Sequence, residues 1–304
     1  MAIDRLTFLK RRQQGIGGSD IAAIAGLSPW RSAVNVYLDK IQDITEAEVL
    51  KPTGSKAPLY WGIELESLIG KAYTLTTGRK IRRHNGLIVD AEYPYFIGDV
   101  DFLAYTDDGK VPTKRIGGKT IIVTDKGIEI KTTRYFDDQW GAQGTDEVPL
   151  QYLCQVQWYM MLCPSIKSFD TVVLAGGSEL RIYTVCRNEA IIAKLREIGK
   201  AFWENNVQKQ VPPPPTTMDE VKRLFAFSSK GSQVVASTEA ENVCERYRDI
   251  SAQRLALEKQ EKELKDQIAV EMQDKEVLLS PLDNEILATF KTESRGRVLR
   301  IRSF

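Results

Sequence analysis

Apolar positions recur along this chain with two periods, and their alternation lays out the fold. Segments 96–105, 127–133, 171–175 and 180–185 read as β-strands, with 121–124 as a hairpin partner. Helical spacing lies before, between and after them. The glycine-rich run Gly15-Ile16-Gly17-Gly18-Ser19-Asp20 leads into a small-residue helix, 21–25, that stops at Gly26. Ser28-Pro29 caps the next helix, which carries Trp30, Val34, Tyr37, Leu38 and Ile41; 61–76 forms a third, and Pro149 opens another through Leu162. Helices interleaved with strands predict an α/β sheet covered on both sides.

The pattern changes after Val211-Pro212-Pro213-Pro214-Pro215, a stiff polyproline II strut. Thr238-Glu239-Ala240-Glu241 reads as a capping box opening a long charged helix to about Gln273. Its apolar stripe is narrow, Leu255, Leu257, Leu264, Ile268 and Met272, so one side packs. Short strands at 277–279, 285–292 and 298–302 follow, with turns at Asp283-Asn284 and 294–296. The expected organisation is a core at 1–211 and a helix-plus-hairpin extension at 212–304.

Composition narrows the chemistry. Of 304 residues 42% are hydrophobic and 27% charged, as in a soluble globular protein. Lys+Arg 42 against Asp+Glu 41 leaves a net charge of +1, so any nucleic acid must be held by local basic patches. The N-terminal segment lacks the apolar core and cleavage site of a signal peptide, and nothing approaches the ~18 apolar residues of a membrane span. A cytoplasmic protein is expected, with Cys154, Cys163, Cys186 and Cys244 as reduced, mostly buried thiols. The single histidine, His84, excludes His-rich zinc sites.

Gly127-Ile128-Glu129-Ile130-Lys131 is the most informative segment. Residues two apart on a strand share a face, about 6–7 Å apart, so Glu129 and Lys131 point together and Ile128 and Ile130 point away. Such a pair is costly in a core unless it meets metal, water or partners. Asp99 and Asp101 on the preceding strand supply further carboxylates. The bland alternative is a cross-strand salt bridge. Glu66, early in the third helix, can reach the strand ends. Gln155, with Gln151 and Gln157 near it, lies close to the packed side of its helix and needs a polar partner. At the N-terminus, Arg12, the glycine turn and Ser19 form a ready anion site, unless Ser19 or Asp20 merely caps the helix. Gly117-Gly118-Lys119-Thr120 has Thr113 where a P-loop needs its first glycine, and reads as a hairpin loop.

The ordered set Arg12…Gly-Gly-Ser19, Trp61-Gly62…Glu66, Asp101, Glu129-Ile130-Lys131 and Tyr152…Gln155-Val156-Gln157 resembles the YqaJ-like phage recombination nucleases. These are similar to lambda exonuclease, within the PD-(D/E)xK nuclease superfamily. The likeness covers residues 4–205. It implies a restriction-endonuclease-like central mixed sheet flanked by helices. It also implies a Mg²⁺-dependent 5′→3′ exonuclease that digests one strand of linear duplex DNA, leaving 3′ single strands for a phage single-strand annealing protein.

By the same resemblance, Asp101, Glu129 and the Ile130 carbonyl bind Mg²⁺ (two ions, with Mn²⁺ able to substitute). Glu66 supports the second ion, Lys131 orients and helps deprotonate water, and Gln155 sits beside it. Arg12 and Ser19 grip the 5′-phosphate, Phe8 stacks on the DNA end, and the assembly is a ring-shaped homotrimer. Val100 and Phe102 replace the family's Pro and Gly around the aspartate, which leaves Asp99 as an alternative to Asp101. Two other functions stay open: a structure-specific or restriction-type endonuclease, and a catalytically silent DNA-end-binding scaffold.

Overall fold

The computed structural model describes residues 5–46, 50–116 and 119–302. The chain divides into two units, Met1–Phe227 and Ser228–Phe304. The first unit begins with α1 (Arg5–Gln13), α2 (Gly18–Ile24), α3 (Ala33–Ile41) and the longer α4 (Ala57–Thr77). Strands β1 (Ile81–Arg83), β2 (Ile88–Val89), β3 (Ile97–Gly98), β4 (Phe102–Ala104), β5 (Thr113–Ile116), β6 (Lys119–Ile122) and β7 (Lys126–Thr133) come next. Then follow α5 (Leu150–Leu162), β8 (Ser168–Ala175), β9 (Glu179–Cys186), α6 (Glu189–Phe202), a π turn and α7 (Met218–Leu224).

Among the described residues the main sheet has five strands in the order β1-β4-β7-β8-β9. It is mixed: β7 and β8 run parallel and the other neighbours antiparallel. α4 covers one face, where Ile69 and Tyr73 pack on Phe102, Ile128, Ile130 and Val172. α2, α3, α5 and α6 cover the other, around Trp158, Tyr159, Phe169, Val173 and Tyr183. Within the sheet, Gly127 of β7 makes room for its β8 neighbour Phe169, whose ring lies 2.3 Å from where a Cβ would stand. The α/β class and two-sided covering expected from the pattern are observed.

Several local expectations need correction. Segment 96–105 is not one strand. β3 pairs with β2 and β4 with β1 and β7, so the chain changes sheets at residues 99–101, with Val100 buried at the corner. Asp99 and Asp101 therefore do not share a strand face. The helix expected from Ser28-Pro29 begins only at Ala33, because Ser32 and Asn35 form the capping box. Trp30 is left in the preceding turn, 68% exposed. β6 pairs with β5 in a hairpin of its own, whose tip, 117–118, lies outside the described residues.

α6 was missed although Asn188 caps it and Ile192, Leu195, Gly199 and Phe202 are buried at helical spacing. The first unit also runs past the polyproline segment. α7 stays with it because Leu224 packs on the core and the Glu220 carboxylate accepts a hydrogen bond from Ser32. All four cysteines are free, but Cys186 and Cys244 are exposed rather than buried. Burial pushes Cys154 up to about 11 and Cys163 up to about 12, so both stay as thiols.

The second unit holds α8 (Thr238–Met272) and an antiparallel sheet of β10 (Val277–Leu279), β11 (Ile286–Glu293) and β12 (Gly296–Ile301). Ser237, not Thr238, caps α8, accepting from the Ala240 N–H. Met272 is buried, whereas Leu255, Leu257 and Leu264 are exposed. Three hairpin arginines are engaged within this unit: Arg297 lies 3.8 Å over Phe290, Arg300 pairs with Glu293 and Arg302 with Glu285.

Candidate active site

The site forms where β7 loses a neighbour. β4 pairs with β7 only as far as Phe102↔Ile128. The next N–H on that side belongs to Ile130, and the Asp101 side chain takes its place in the ladder: Ile130 N donates to Asp101 Oδ2 at 2.8 Å. The N–H and C=O of a strand residue point to the same side, so the Ile130 carbonyl faces the same open edge. Asp101, and not Asp99, makes this bond.

Alternation along β7 sends Ile128 and Ile130 into the α4 layer and turns Glu129 and Lys131 toward α5. Lys131 Nζ lies 2.6 Å from Glu129 Oε1. Gln155 on α5 donates to the same oxygen at 2.6 Å and to the Tyr159 hydroxyl at 2.9 Å. The expected polar partner of Gln155 is thus Glu129. Gln157 serves α5 differently, bonding the Cys186 carbonyl and the Asn188 N–H. Glu129 is 2% exposed, and its second oxygen, Oε2, is buried without a hydrogen-bond partner. The same holds for the hydroxyl of Thr171, which sits opposite Glu129 on β8.

Burial pushes the Asp101 carboxyl well above the usual carboxylate range; the Glu129 charge adds to this, while Lys131 and the Ile130 N–H oppose it. Glu129 is likewise raised by burial, against the pull of Lys131. Burial alone would lower Lys131, but Glu129 and Asp101 more than offset it and hold it as an ammonium. Its Nζ lies 5.1 Å from the Tyr152 ring centroid. Asp99 is raised by burial and by Glu66, against Arg12 and Arg83. Glu66, on α4, is within the electrostatic reach of Asp99, Asp101 and Glu129, yet its carboxylate is paired with Arg83.

Among the described residues no group of three or more His, Cys, Asp or Glu side chains is arranged to hold a metal ion. The donors that do converge fit a hard cation nonetheless. They are two carboxylates at an open carbonyl edge, one with a buried, unsatisfied oxygen. Mg²⁺ suits such a set, since it takes carboxylate and carbonyl oxygen and keeps several waters.

The glycine-rich turn expected to bind an anion is tied to this region. Ile16 bridges to Phe96, next to β3, and so ties the glycine run to the segment that leads to Asp99 and Asp101. Arg12 Nη2 donates to Ser19 Oγ at 2.6 Å. A Cβ on Gly18 would stand 2.7 Å from the Tyr159 ring and 3.1 Å from Gln155 Cγ, so a larger residue would displace the side chains that hold Glu129. Asp20 does cap α2, accepting from Gly17 N at 3.1 Å. Phe8 lies one turn before Arg12 on α1, half-buried.

Sequence reasoning missed Arg83, Tyr159 and, around Asp20, Arg31 and Lys40. Lys40 alone left a signal, since it follows Val36 and Tyr37 by one turn and falls on the buried side of α3. Burial lowers the pKa of the His84 imidazole, and the His84 backbone N–H donates to the Asp101 carbonyl at 3.2 Å. His84 lines a cavity of about 1030 Å³ together with Leu103, Ile121, Leu162 and Arg83, the partner of Glu66.

Among the described residues no helix is long and apolar enough to cross a membrane. Residues 7–164 match the YqaJ-like viral recombinase domain. Over 280 residues the chain is 26% identical to the uncharacterized protein YqaJ of Bacillus subtilis (strain 168), covering 90% of this chain and 80% of that one. Solved structures that match include an alkaline exonuclease, LHK-Exo, from Laribacter hongkongensis. It is 18% identical, with coverage of 72% of this chain and 97% of that one and a TM-score of 0.46. A phage-related exonuclease from Haemophilus somnus 129PT matches at 17% identity over 64% and 95%, with a TM-score of 0.40. With the family match spanning more than half its length, the chain belongs to the YqaJ-like viral recombinase domain family.

Proposed function

We propose that this chain is a Mg²⁺-dependent deoxyribonuclease that digests one strand of linear duplex DNA from the 5′ end and leaves a 3′ single strand. Family membership supports a nuclease role in recombination. The observation that carries the reading is the meeting of Asp101, Glu129 and Lys131 at the open edge of β7, with Glu129 Oε2 unpartnered. Asp101, Glu129 and the Ile130 carbonyl would hold the first ion. Glu66 would support a second after leaving Arg83. When bound, Mg²⁺ supplies Lewis acidity that activates water and neutralises charge on the phosphate.

The remaining work belongs to the chain. Lys131, held as an ammonium, stabilises negative charge on the attacking oxygen. Gln155 and Lys131 both bond Glu129 Oε1, which fixes the carboxylate's orientation. The Tyr152 ring, its centroid 5.1 Å from Lys131 Nζ, adds a cation–π attraction that favours this position of the ammonium. Arg12 and Ser19 grip the terminal 5′-phosphate at a set distance from Asp101 and Glu129, so cleavage is confined to one end. Phe8 would stack on that end.

A time course on linear duplex labelled at either end, with and without Mg²⁺, tests the reading. Loss of the 5′ label first, only with Mg²⁺, is expected; nicking of covalently closed circles would overturn it in favour of an endonuclease. Assembly as a homotrimer and hand-over of the 3′ strand to an annealing protein belong to the same proposal. Sedimentation and co-purification from infected cells measure them.

A further inference from the structure

Asp20 poses a problem for any anion held by Arg12 and Ser19. It must stay where it is, because Oδ2 caps α2 by accepting from Gly17 N at 3.1 Å. Yet it is buried, and Oδ2 lies 3.8 Å from Arg12 Nη2. A buried carboxylate so placed would ordinarily draw the guanidinium into a close charge-assisted pair and compete with a phosphate for it. The two are not in hydrogen-bond contact. Arg12 bonds Ser19 instead and remains about one-third exposed.

Two other cations occupy Asp20. Lys40 Nζ donates to Oδ2 at 2.8 Å and Arg31 to Oδ1 at 3.0 Å. Burial alone would raise the Asp20 carboxyl, but Lys40, Arg12 and Arg31 together hold it well below the usual carboxylate range. Lys40 also donates to the Arg12 carbonyl at 3.0 Å, which ties the last turn of α1 to α3. Its side chain is only 4% exposed, so water hardly competes for these bonds.

Building on the end-recognition reading above, we propose that Lys40 is a positioning residue that keeps Asp20 from capturing Arg12. Arg12 and Ser19 thereby stay available to a terminal phosphate. Lys40 itself touches no DNA.

The test compares kcat/KM on duplexes with 5′-phosphate and 5′-hydroxyl ends for the full-length wild type, Lys40→Met, Lys40→Arg and Lys40→Met/Asp20→Asn. Asparagine at 20 can still cap α2 but no longer competes for Arg12. Lys40→Met should reduce the phosphate preference about tenfold, mainly through KM. Lys40→Arg should keep it, and the double variant should regain most of it. A merely structural role would lower both substrates alike and would not be relieved by Asp20→Asn. A folded Lys40→Met with unchanged preference, or a double variant no better than the single, overturns the proposal. A wild type without preference for phosphate removes the end-recognition reading, and this proposal with it.

Discussion

β7 carries a lysine–carboxylate pair at each end, and the two pairs have the same length. Lys126 Nζ lies 2.6 Å from Asp170 Oδ1, and Lys131 Nζ lies 2.6 Å from Glu129 Oε1. Both Asp170 oxygens are partnered: Oδ1 also accepts from Thr184 at 2.9 Å, and Oδ2 accepts from the Tyr73 hydroxyl at 2.6 Å. Glu129 receives two donors on one oxygen and none on the other. The first network ties α4, β7, β8 and β9 together and leaves neither carboxylate oxygen without a partner. The second leaves a buried lone pair unmet, which costs stability unless a cation or water answers it. A buried ion pair by itself therefore carries no functional reading; the function proposed above rests on the incomplete pair beside an open strand edge.

Substitutions at the two ends should separate these roles. Glu129→Gln, which keeps an oxygen to accept from Lys131, should reduce turnover about a thousandfold while duplex binding persists and the melting temperature moves little. Lys131→Ala should lose turnover equally but also stability, because it strands the buried Glu129 carboxylate. Binding by gel shift and single-turnover digestion check this, and residual activity within tenfold of wild type would break the comparison. Asp170→Ala should do the reverse. It strands the Lys126 ammonium and two hydroxyls and should cost about 3 kcal/mol in urea unfolding, with kcat per folded molecule unchanged.

Gly18→Ala lies between these cases, since its clash falls on Tyr159 and Gln155. A loss of about 1–3 kcal/mol together with reduced kcat is expected; a loss of stability alone would mean that Gln155 does not position Glu129.

The pH response should also differ between carboxylates. Asp101 and Glu129 have raised folded pKa values, so their charge destabilises the fold above those values and the penalty is relieved as pH falls through them. Protons and Mg²⁺ compete for the same oxygens, so Mg²⁺ affinity measured by calorimetry should fall in that same window. A fall only near pH ~4, the ordinary carboxylate value, would contradict the shifts. Asp20, depressed instead, contributes stability that is present above its unfolded value and lost as pH falls toward its folded one. The smallest effect is expected at the orphaned hydroxyl. Thr171→Val should be neutral or stabilise by up to about 1 kcal/mol in thermal unfolding, and a clear loss would mean that Thr171 has a bound partner.

Much of the site was legible because it depends on short-range geometry. Strand alternation alone puts Glu129 and Lys131 on one face, and the buried side of α5 puts Gln155 near a polar partner. Arg12 and Ser19 are close in sequence, and a single tight turn brings them together. What was misread involves chain direction rather than pattern. A buried run such as 96–105 looks the same whether it is one strand or two that switch sheets. Pro29 suggested a helix start, but the Ser32–Asn35 capping box moved it later. The ion pair of Glu66 with Arg83 and the buried Lys40 involve partners far apart in sequence, where no local period operates.

The amino-acid order by itself determined which residues share a face, where helices can begin and stop, and which side chains carry chemistry, because these follow from backbone periods and capping over a few residues. Tertiary structure alone decided that β4 stops pairing at Ile128, that Asp101 takes the vacated ladder position, and that Glu129 is left with one oxygen unmet. Those outcomes depend on which surfaces meet when distant segments pack, and packing is settled by the whole core at once.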